Sequence, residues 1–459
     1  MNNSYDTKSV KTLSSGNRIE PGTFEYRINF IRELMKNTPI CPLIDYTNKD
    51  DNSYDSNDTR HELGIKPLEF DEMIKGDMGG MLYYVKSGTT GHTFRGVCGE
   101  LEHPQYEFAV KVVAYPKKPR YGSIYNINRP ENAEIKMLKV LSKLVLKKKT
   151  PHIVLPICTF NTGINHFVNT TAKNKIINNK ENKHTRRKYV EFIKKYEDGI
   201  REDKSNKEFH ETVSVLVSEW ANKGDLLGFF RDYYKDMKPI HWKVIFFQIL
   251  SVLAVIQKEY PSFRHNDLKI NNILVQKIDN RQKTLTYGIC KKRYIVNNIG
   301  YQIKIWDFDF ACIPGIVDNE KVTNTNAWSK GINVTPHKNQ YYDMHFFFNT
   351  MIRESMFPQF MTSPFIPQEA KDFLERIVPK EYQTGSYVHE RGRFLLQDEF
   401  TTPQIILEKD KYFAEFRTNI KKKKKPNRKL QEINNFVMRP DSKNNDIFDE
   451  KNPVRKRKK

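Results

Sequence analysis

A short loop in the second half of the chain gathers three side chains that could carry out catalysis. Residues 264–275, RHNDLKINNILV, place an acid at Asp267, a cation at Lys269 and an amide at Asn272. The apolar run 273–275 that follows predicts a buried strand, so the three polar residues would lie in a loop at the mouth of that strand. Because loops carried on rigid strands are common locations for catalytic residues, this stretch is the first candidate site.

The composition limits the classes of protein and partner. The chain has 459 residues, enough for two or three average domains or one large two-lobed domain. Lysine and arginine exceed aspartate and glutamate by 77 to 55, and the net charge of +22 favours acidic partners such as phosphates, nucleic acid, anionic lipid or acidic peptides. The five cysteines are scattered without a Cys-x-x-Cys pair, so neither a zinc site nor a disulfide framework is indicated.

The apolar segments favour a buried core over a membrane span. The N-terminal residues MNNSYDTKSV lack the apolar stretch of a signal peptide. The longest apolar run, VIFFQILSVLAVI at 244–256, is short for a transmembrane helix and is typical of a core helix. We therefore expect no transmembrane segment.

Apolar periodicity predicts strands in the first part of the chain and helices in the second. Three antiparallel strands are predicted between 81 and 115, followed by an amphipathic helix at 131–149 and two more strands at 153–160 and 212–220. Later helices are predicted at 226–236, 241–259, 343–356 and 367–377. A cleft between a sheet-rich half and a helix-rich half is a natural site for a small molecule.

These patterns divide the chain into three parts. Residues 1–70 form a polar N-terminal extension that is predicted to be partly disordered, with a short helix around 24–36. Residues 71–417 form the folded domain: a first lobe at 71–220, which contains an insertion at 161–210, and a second lobe at 221–417. Residues 418–459 are predicted to be a basic, disordered tail.

Over roughly residues 80–417 the sequence resembles the eukaryotic-type protein kinases, and within them the poxvirus-type serine/threonine kinases of large DNA viruses. Their hallmark is H-N-D and D-F-D, here His265-Asn266-Asp267 and Asp307-Phe308-Asp309. TPQIILEKDKYFAEFR at 402–417 resembles the closing helix of that fold. The resemblance implies an α+β, bilobal protein kinase-like fold, with a small antiparallel β-sheet lobe that carries one helix and a larger, mainly helical lobe.

The resemblance also implies a reaction, the transfer of the γ-phosphate of ATP to serine or threonine hydroxyls of proteins, with Mg²⁺ or alternatively Mn²⁺. Such transfer depends on positioning and charge neutralisation. Asp267 would accept the proton of the attacking hydroxyl, and Lys269 would offset the charge of the transferred group. Asn272 and Asp307 would bind the metal.

Further residues are assigned by the same resemblance to the nucleotide and to support of the loop. Lys111 in FAVKVV would hold the α- and β-phosphates, with Glu134 as its ion-pair partner. The other assignments are Gly88 and Gly91 in the phosphate-covering loop, the backbones of Glu219 and Ala221 beside the adenine, Asp225 on the ribose, and His265 and Asp343 as structural support.

Several positions depart from the ordinary kinase pattern. Lys86 stands where the first glycine of the phosphate-covering loop belongs, and Asp309 replaces a flexible glycine. Asn266 replaces an arginine that often binds a phosphorylated activation segment, which predicts activity without such phosphorylation. NVTPHKNQYYD at 333–343 stands in place of an Ala-Pro-Glu motif, and the insertion at 276–302 is predicted to contain an extra hairpin.

Other functions stay open at this point. Small-molecule kinases of the choline or aminoglycoside type share the H-N-D and Asp-Phe-acid patterns, although they usually lack a lysine two residues after the aspartate. A catalytically weak pseudokinase that acts as a scaffold is the third reading. The basic C-terminal tail could bind nucleic acid or another acidic partner, with an affinity that falls steeply with salt. The family resemblance implies a location in the virion and the host cytoplasm.

Overall fold

The structure is a computed structural model that describes most of the chain. It covers residues 22–36, 38, 42–44, 61–62, 80–87, 91–99, 104–163, 187, 190–191, 194, 196–198, 208–279, 281–323 and 327–418. The polar segment 45–60, most of the insertion at 161–210, Gly88 and the tail from 419 onward lie outside the described residues. The predictions for those segments therefore stay predictions.

One sheet occupies the first part of the chain. Its strands are β1 (His61–Glu62), β2 (Gly80–Ser87), β3 (His92–Gly99), β4 (Pro104–Pro116), β5 (Pro156–Gly163) and β6 (Phe209–Glu219). Their order is β1-β5-β6-β4-β3-β2. The short β1 pairs in parallel with β5, and the other neighbours pair antiparallel. The five strands predicted from the sequence are confirmed.

Strand β4 lies in the middle of the sheet and carries Lys111. The run from Phe108 to Tyr115 is buried throughout, as expected for a segment rich in valine and aromatic residues with a neighbouring strand on each side. In the register of the sheet, Lys111 lies opposite Thr93 of β3 and Leu216 of β6. The rigid centre of the sheet thus fixes the position of this lysine.

Helix α2 (Pro130–Leu146) packs against β5. Pro130 suits the first helical position, where a backbone N–H has no intrahelical partner. The apolar residues at helical spacing, including Ile135 and Leu138, are buried as predicted. The helix ends earlier than predicted because Lys148 adopts a left-handed backbone conformation, with φ of 54°.

The second part of the chain is mainly helical. Its helices are α3 (Leu226–Tyr233), α4 (Pro239–Glu259), α5 (Glu320–Thr323), α6 (Ala327–Gly331), α7 (Tyr342–Met351), α8 (Gln359–Thr362), α9 (Gln368–Ile377) and α10 (Pro403–Lys409). The four predicted helices correspond to α3, α4, α7 and α9, with shifted ends. The predicted closing helix is divided, since a separate 3₁₀ helix follows at Lys411–Phe416.

Helix α4 forms the centre of the helical part. By length and composition it could cross a membrane. However, every residue from Val244 to Gln257 is buried inside the protein. Phe246 contacts Phe348 of α7 and Phe373 of α9, with ring centroids 5.1 and 5.9 Å apart. The helix is accordingly a core helix, as the sequence predicts.

Two small antiparallel sheets complete the fold. Strand β7 (Ile273–Lys277) pairs with β10 (Tyr301–Ile305), and β8 (Thr284–Ile289) pairs with β9 (Lys292–Asn297). The β8–β9 pair is the hairpin predicted within the insertion. Because β7 directly follows the candidate loop and β10 ends just before Asp307, their pairing brings the two segments to the same end of this small sheet.

Helix α1 (Phe24–Met35) belongs to the predicted N-terminal extension. Thr23 caps it, since the threonine hydroxyl accepts a hydrogen bond from Tyr26 N–H. Its apolar face, which includes Ile28 and Ile31, is buried in the same hydrophobic core as the sheet. The helix is therefore packed onto the folded domain.

Candidate active site

Lys111 joins three distant parts of the chain through two ion pairs. Its Nζ lies 2.7 and 2.9 Å from the two carboxylate oxygens of Glu134 on α2, and 3.0 Å from Asp307 Oδ1 after β10. Lys111 and Glu134 are buried, whereas 36% of the Asp307 side chain is exposed. The structure thus brings together three predicted site residues, two of which are 196 positions apart.

The three charges shift one another's protonation. Burial alone would lower the pKa of Lys111, but the nearby carboxylates of Asp307 and Glu134 outweigh it and raise that pKa. Burial alone would raise the pKa of Asp307, but the charge and hydrogen bond of Lys111 lower it. Burial dominates at Glu134 and raises its pKa despite Lys111. Lys111 stays charged, and Asp307 stays an ionised carboxylate that is partly open to solvent.

The candidate loop brings Asp267, Lys269 and Asn272 into mutual contact. Lys269 Nζ lies 3.0 Å from Asp267 Oδ2. The Asn272 side-chain amide donates to the Asp267 carbonyl at 2.8 Å and to Asp267 Oδ2 at 3.3 Å. A 3₁₀ turn at Ile270–Asn272 closes the loop just before β7. The acid, the cation and the amide seen in the sequence therefore form one cluster.

Asp343 and His265 hold this loop against its neighbours. The buried Asp343 carboxylate accepts hydrogen bonds from the backbone N–H groups of His265, at 2.7 Å, and Asn266, at 2.9 Å. His265 Nε2 lies 3.1 Å from the Trp306 carbonyl oxygen, and its ring packs on Phe308. The structure places both residues under the loop, between α7 and the segment that contains Asp307.

Asn266 connects the loop to the chain segment that follows Asp307. Its φ of 61° lies in the left-handed region, which asparagine tolerates better than most residues. Its side-chain amide donates to the carbonyls of Phe310, at 3.1 Å, and Thr335, at 3.3 Å. The segment between these two carbonyls is therefore tied to the loop by direct hydrogen bonds.

Asp309 is also fixed by contacts within that segment. Its carboxylate forms an ion pair with Lys321 of α5, and the Lys321 ammonium lies 4.4 Å from the centre of the Phe310 ring. The Asn319 amide donates to the carbonyls of Asp309, at 3.0 Å, and Ala311, at 3.2 Å. The acidic residue at this position thus has a partner that a glycine could not bind.

The chain leaving β6 contains the residues predicted to face adenine. Glu219 N–H donates to the Leu155 carbonyl at 3.1 Å, and the Ala221 carbonyl accepts from Gly224 N–H at 3.1 Å. The Glu219 N–H and the Ala221 carbonyl are therefore used within the protein. The Glu219 side chain points into the core, which the sequence analysis did not foresee.

Asp225 lies at the start of α3 and caps that helix. Its Oδ1 accepts from Gly228 N–H at 2.9 Å, and its Oδ2 lies 3.4 Å from Lys86 Nζ. Lys86 is the residue that the sequence analysis placed at the first glycine position of the predicted phosphate-covering loop. Strand β2 and helix α3 are thus connected by an exposed ion pair across the predicted ribose position.

Gly91 stands where a side chain would not fit. A Cβ at this position would lie 2.7 Å from Val113 Cγ2 and 3.4 Å from Lys111 Cε. Its partner in the predicted glycine loop, Gly88, lies outside the described residues. The backbone can therefore approach Lys111 closely at position 91.

The residues near Asp307 suit a hard metal ion that keeps water and phosphate ligands. The Trp306 backbone N–H donates to the Asn272 carbonyl at 3.1 Å, which places Asn272 next to the Asp307 segment. Since the Asn272 amide nitrogen points to Asp267, its amide oxygen is the atom left for a metal. Within the described residues, no group of three or more His, Cys, Asp or Glu side chains could hold a metal alone. One carboxylate and one amide oxygen fit Mg²⁺ that shares its shell with phosphates.

Arg393 is a site residue that the sequence analysis missed. It lies between α9 and α10, and its Nη2 is 2.6 Å from Asp267 Oδ1. A cavity of about 730 Å³ lies beside this pair, lined by Asp267, Lys269 and Arg393 among others. Arg393 lies in the segment RGRF at 391–394, 126 positions after Asp267. At that distance, no spacing pattern in the sequence connects the arginine with the loop.

A second missed cluster lies behind the chain that leaves β6. Arg27 of α1 donates from Nε and Nη2 to the two carboxylate oxygens of Glu219, both at 2.7 Å. It also donates to the carbonyls of Pro151, at 2.9 Å, and Ile153, at 2.7 Å. Lys304 Nζ of β10 reaches Glu219 Oε2 at 3.1 Å. The periodicity of α1 predicted a helix but gave no sign that a charged residue faces the core.

Comparison with known proteins gives consistent matches. Residues 228–373 match the family model described as poxvirus serine/threonine protein kinase. A protein of Acanthamoeba polyphaga mimivirus, named as a candidate serine/threonine-protein kinase, is 43% identical over 418 residues, which cover 90% of this chain and 84% of that protein. A second such mimivirus protein is 24% identical over 64% of this chain and 76% of its own length. Serine/threonine-protein kinase 2 of Monkeypox virus is 33% identical over 114 residues, which cover 24% of this chain and 23% of that protein.

Proposed function

The chain belongs to the poxvirus-type serine/threonine protein kinase family, and from this premise we propose that it transfers the γ-phosphate of ATP to serine and threonine hydroxyls of proteins in a Mg²⁺-dependent reaction. We also propose the two-lobed kinase architecture, with the nucleotide in the cleft between the sheet and the helical part. The viral relatives support a role during infection, and we propose that the enzyme is associated with the virion.

One observation carries the proposal. Lys111 pairs at once with Glu134 and Asp307, while Asp267 contacts Lys269 and Asn272. The first group has the charges needed to hold phosphates and a metal, and the second has a base and a cation for the acceptor. Asp307 of the first group follows β10, Asn272 of the second precedes β7, and these two strands pair at Ile305 and Ile273. The Trp306 N–H also donates to the Asn272 carbonyl, and this proximity supports action of the two groups on one substrate complex.

The nucleotide would be held by residues of the sheet and of the chain after β6. Lys111 would bind the α- and β-phosphates, and the glycine at position 91 allows the backbone to approach them. The Glu219 carbonyl and the Ala221 N–H would bind the adenine, since one acceptor and one donor suit its amino group and ring nitrogen. Asp225 would bind the ribose after release from Lys86.

The acceptor would react beside Asp267. The hydroxyl oxygen of the protein substrate forms a bond to the γ-phosphorus, and the bond from that phosphorus to the bridging oxygen of ADP breaks. The hydroxyl proton passes to the Asp267 carboxylate, and Lys269 offsets the charge on the transferred group. Asn272 and Asp307 would hold Mg²⁺, which when bound neutralises charge on the phosphate oxygens.

A transfer assay tests the proposal. Purified protein is incubated with labelled ATP and Mg²⁺, with casein, a basic protein or choline as acceptor. We expect label on serine or threonine of the protein acceptors, and a loss of at least about a hundredfold in Asp267→Asn because the general base is removed. Asp232→Asn, which changes an exposed acid on α3, is the matched control and should keep normal turnover.

The other outcomes separate the competing functions. Label on choline alone would assign the chain to the small-molecule kinases. Label on neither acceptor, in a protein that binds ATP, would support a scaffold role. Full activity in Asp267→Asn would refute the assignment of Asp267.

A further inference from the structure

The two carboxylate oxygens of Asp267 have different kinds of partner. Oδ2 contacts Lys269 and Asn272, which belong to the same loop. Oδ1 contacts Arg393, which comes from a segment 126 residues away. Under the proposed function, Lys269 must move its charge toward the transferred phosphoryl group. Of the two cationic side chains that contact Asp267 in the described part of the chain, Arg393 then remains.

Arg393 is itself held firmly. Its Nη1 donates to the Asn266 carbonyl and to the Tyr342 hydroxyl, the latter at 3.0 Å. Its guanidinium carbon lies 4.2 Å from the centre of the Phe346 ring, and only 8% of the side chain is exposed. A guanidinium with so many fixed contacts cannot swing in and out as a gate would.

The geometry also orients the carboxylate. A rigid guanidinium fork that binds Oδ1 and the neighbouring Asn266 carbonyl fixes both the loop backbone and the rotation of the Asp267 side chain. Arg393 therefore directs the other oxygen, Oδ2, toward the side where Lys269 and the acceptor would lie. A small error in the aim of a general base can cost about a hundredfold in rate.

We propose that Arg393 is a positioning residue for phosphoryl transfer, a role that rests on the proposed function above. It holds Asp267 in the orientation that receives the hydroxyl proton, and it keeps that half-buried carboxylate paired when Lys269 turns to the phosphate. It does not touch the nucleotide and does not block the acceptor.

The test compares three substitutions in steady-state transfer to casein. Arg393→Met should lower kcat about a hundredfold and change the KM for ATP less than about threefold, because the nucleotide contacts lie elsewhere. Arg393→Lys should recover part of kcat, since it restores the charge but not the fork. Arg376→Met is the matched control: it breaks a two-point ion pair between Arg376 of α9 and Asp410 at the end of α10, and it should leave kcat unchanged.

A double substitution separates positioning from general support of the fold. In the Asp267→Asn background, Arg393→Met should cause no further loss of kcat, because both changes remove the same function. Independent, multiplied losses would overturn the proposal. A kcat that rises in Arg393→Met would show that the arginine inhibits the enzyme, and a kcat above one third of wild type would show that it is dispensable.

Failure of the proposed function has its own signature. If the wild-type protein transfers phosphate to no protein acceptor, both ideas fail together. If the wild type is active and Arg393→Met keeps its activity, only the positioning role fails. If Arg393→Met does not fold, two other variants test the role. Arg393→Lys should keep partial activity, and added guanidinium should restore activity to Arg393→Ala. If neither result is seen, the positioning role is refuted.

Discussion

Replacing Arg27 by methionine should strongly destabilise the folded protein. The substitution keeps most of the aliphatic stem but removes four hydrogen bonds, two to Glu219 and two to the carbonyls of Pro151 and Ile153. It leaves Glu219 with Lys304 and the Leu155 N–H as partners. The substitution therefore measures how much a buried ion pair between α1 and β6 contributes to the free energy of unfolding.

The magnitude follows from the ionisation of Glu219. Burial alone would raise its pKa, but Arg27 and Lys304 outweigh burial and lower it from an ordinary value of 4.5 to about 2. At about 1.36 kcal/mol per pKa unit, this lowering corresponds to about 3 kcal/mol of stability at neutral pH. Breaking a buried pair by removing one partner typically costs ~3–5 kcal/mol. We expect a loss in that range for Arg27→Met.

Urea unfolding followed by circular dichroism measures the effect. The urea concentration at the unfolding midpoint should fall while the slope stays unchanged, because the substitution lowers stability without altering the surface exposed on unfolding. Arg32→Met on the exposed face of the same helix is the control and should change the free energy of unfolding by less than about 0.5 kcal/mol. A double-mutant cycle with Glu219→Gln should give a coupling energy of about 2 kcal/mol or more.

The pH dependence supplies an independent check. Because the pKa of Glu219 is lower in the folded state, its stabilisation is present above about pH 4.5 and is lost as the pH falls toward 2. The difference between wild type and Arg27→Met should shrink across this window. A coupling energy below about 0.5 kcal/mol, or a difference that does not depend on pH, would refute the reasoning.

Three other results are expected. Phosphatase treatment should leave turnover within about twofold, because the Asn266 amide itself holds the segment after Asp307 through hydrogen bonds to the Phe310 and Thr335 carbonyls. A loss of turnover, measured by transfer to casein, would contradict this. Asn266→Ala should lose about 2–3 kcal/mol of unfolding free energy in urea, from two hydrogen bonds and a left-handed backbone, and Asn266→Gly should lose less. Lys304 has a pKa lowered to about 8, first by burial and then by Arg27. The unfolded chain therefore binds more protons between pH 8 and 10.5, so wild-type stability relative to Lys304→Met should rise across that range; a flat difference would contradict this.

The sequence predicted the parts of the molecule that depend on local pattern. Strand-like runs separated by glycine and proline predicted the strands around Lys111, helical spacing predicted α2, and a long apolar run predicted α4. The loop with Asp267, Lys269 and Asn272 was identified because its residues lie within six positions of one another. The structure places these three in contact and brings Lys111, Glu134 and Asp307 together, although their roles in catalysis stay proposals.

Contacts between distant segments could not be predicted in this way. Arg27 and Glu219 are 192 positions apart, and a charged residue on an amphipathic helix is ordinarily expected to face solvent. The same holds for Arg393, whose partners lie on other elements. The division of the closing helix depends on Asp410. Its extended backbone ends α10, and its carboxylate accepts a hydrogen bond from Tyr412 N–H at the start of the next turn. The same carboxylate pairs with Arg376.

The ion pair between Asp309 and Lys321 has a consequence for inhibition by drugs. An inhibitor could in principle use a space that opens only when the aspartate and the phenylalanine of this motif exchange places. A glycine at the next position would make such a flip easy, because glycine adopts backbone conformations closed to other residues. Here the flip would have to break the Asp309–Lys321 pair and both hydrogen bonds from Asn319. Compounds of that class should therefore bind this enzyme poorly, and selective inhibitors would have to fit the unflipped arrangement.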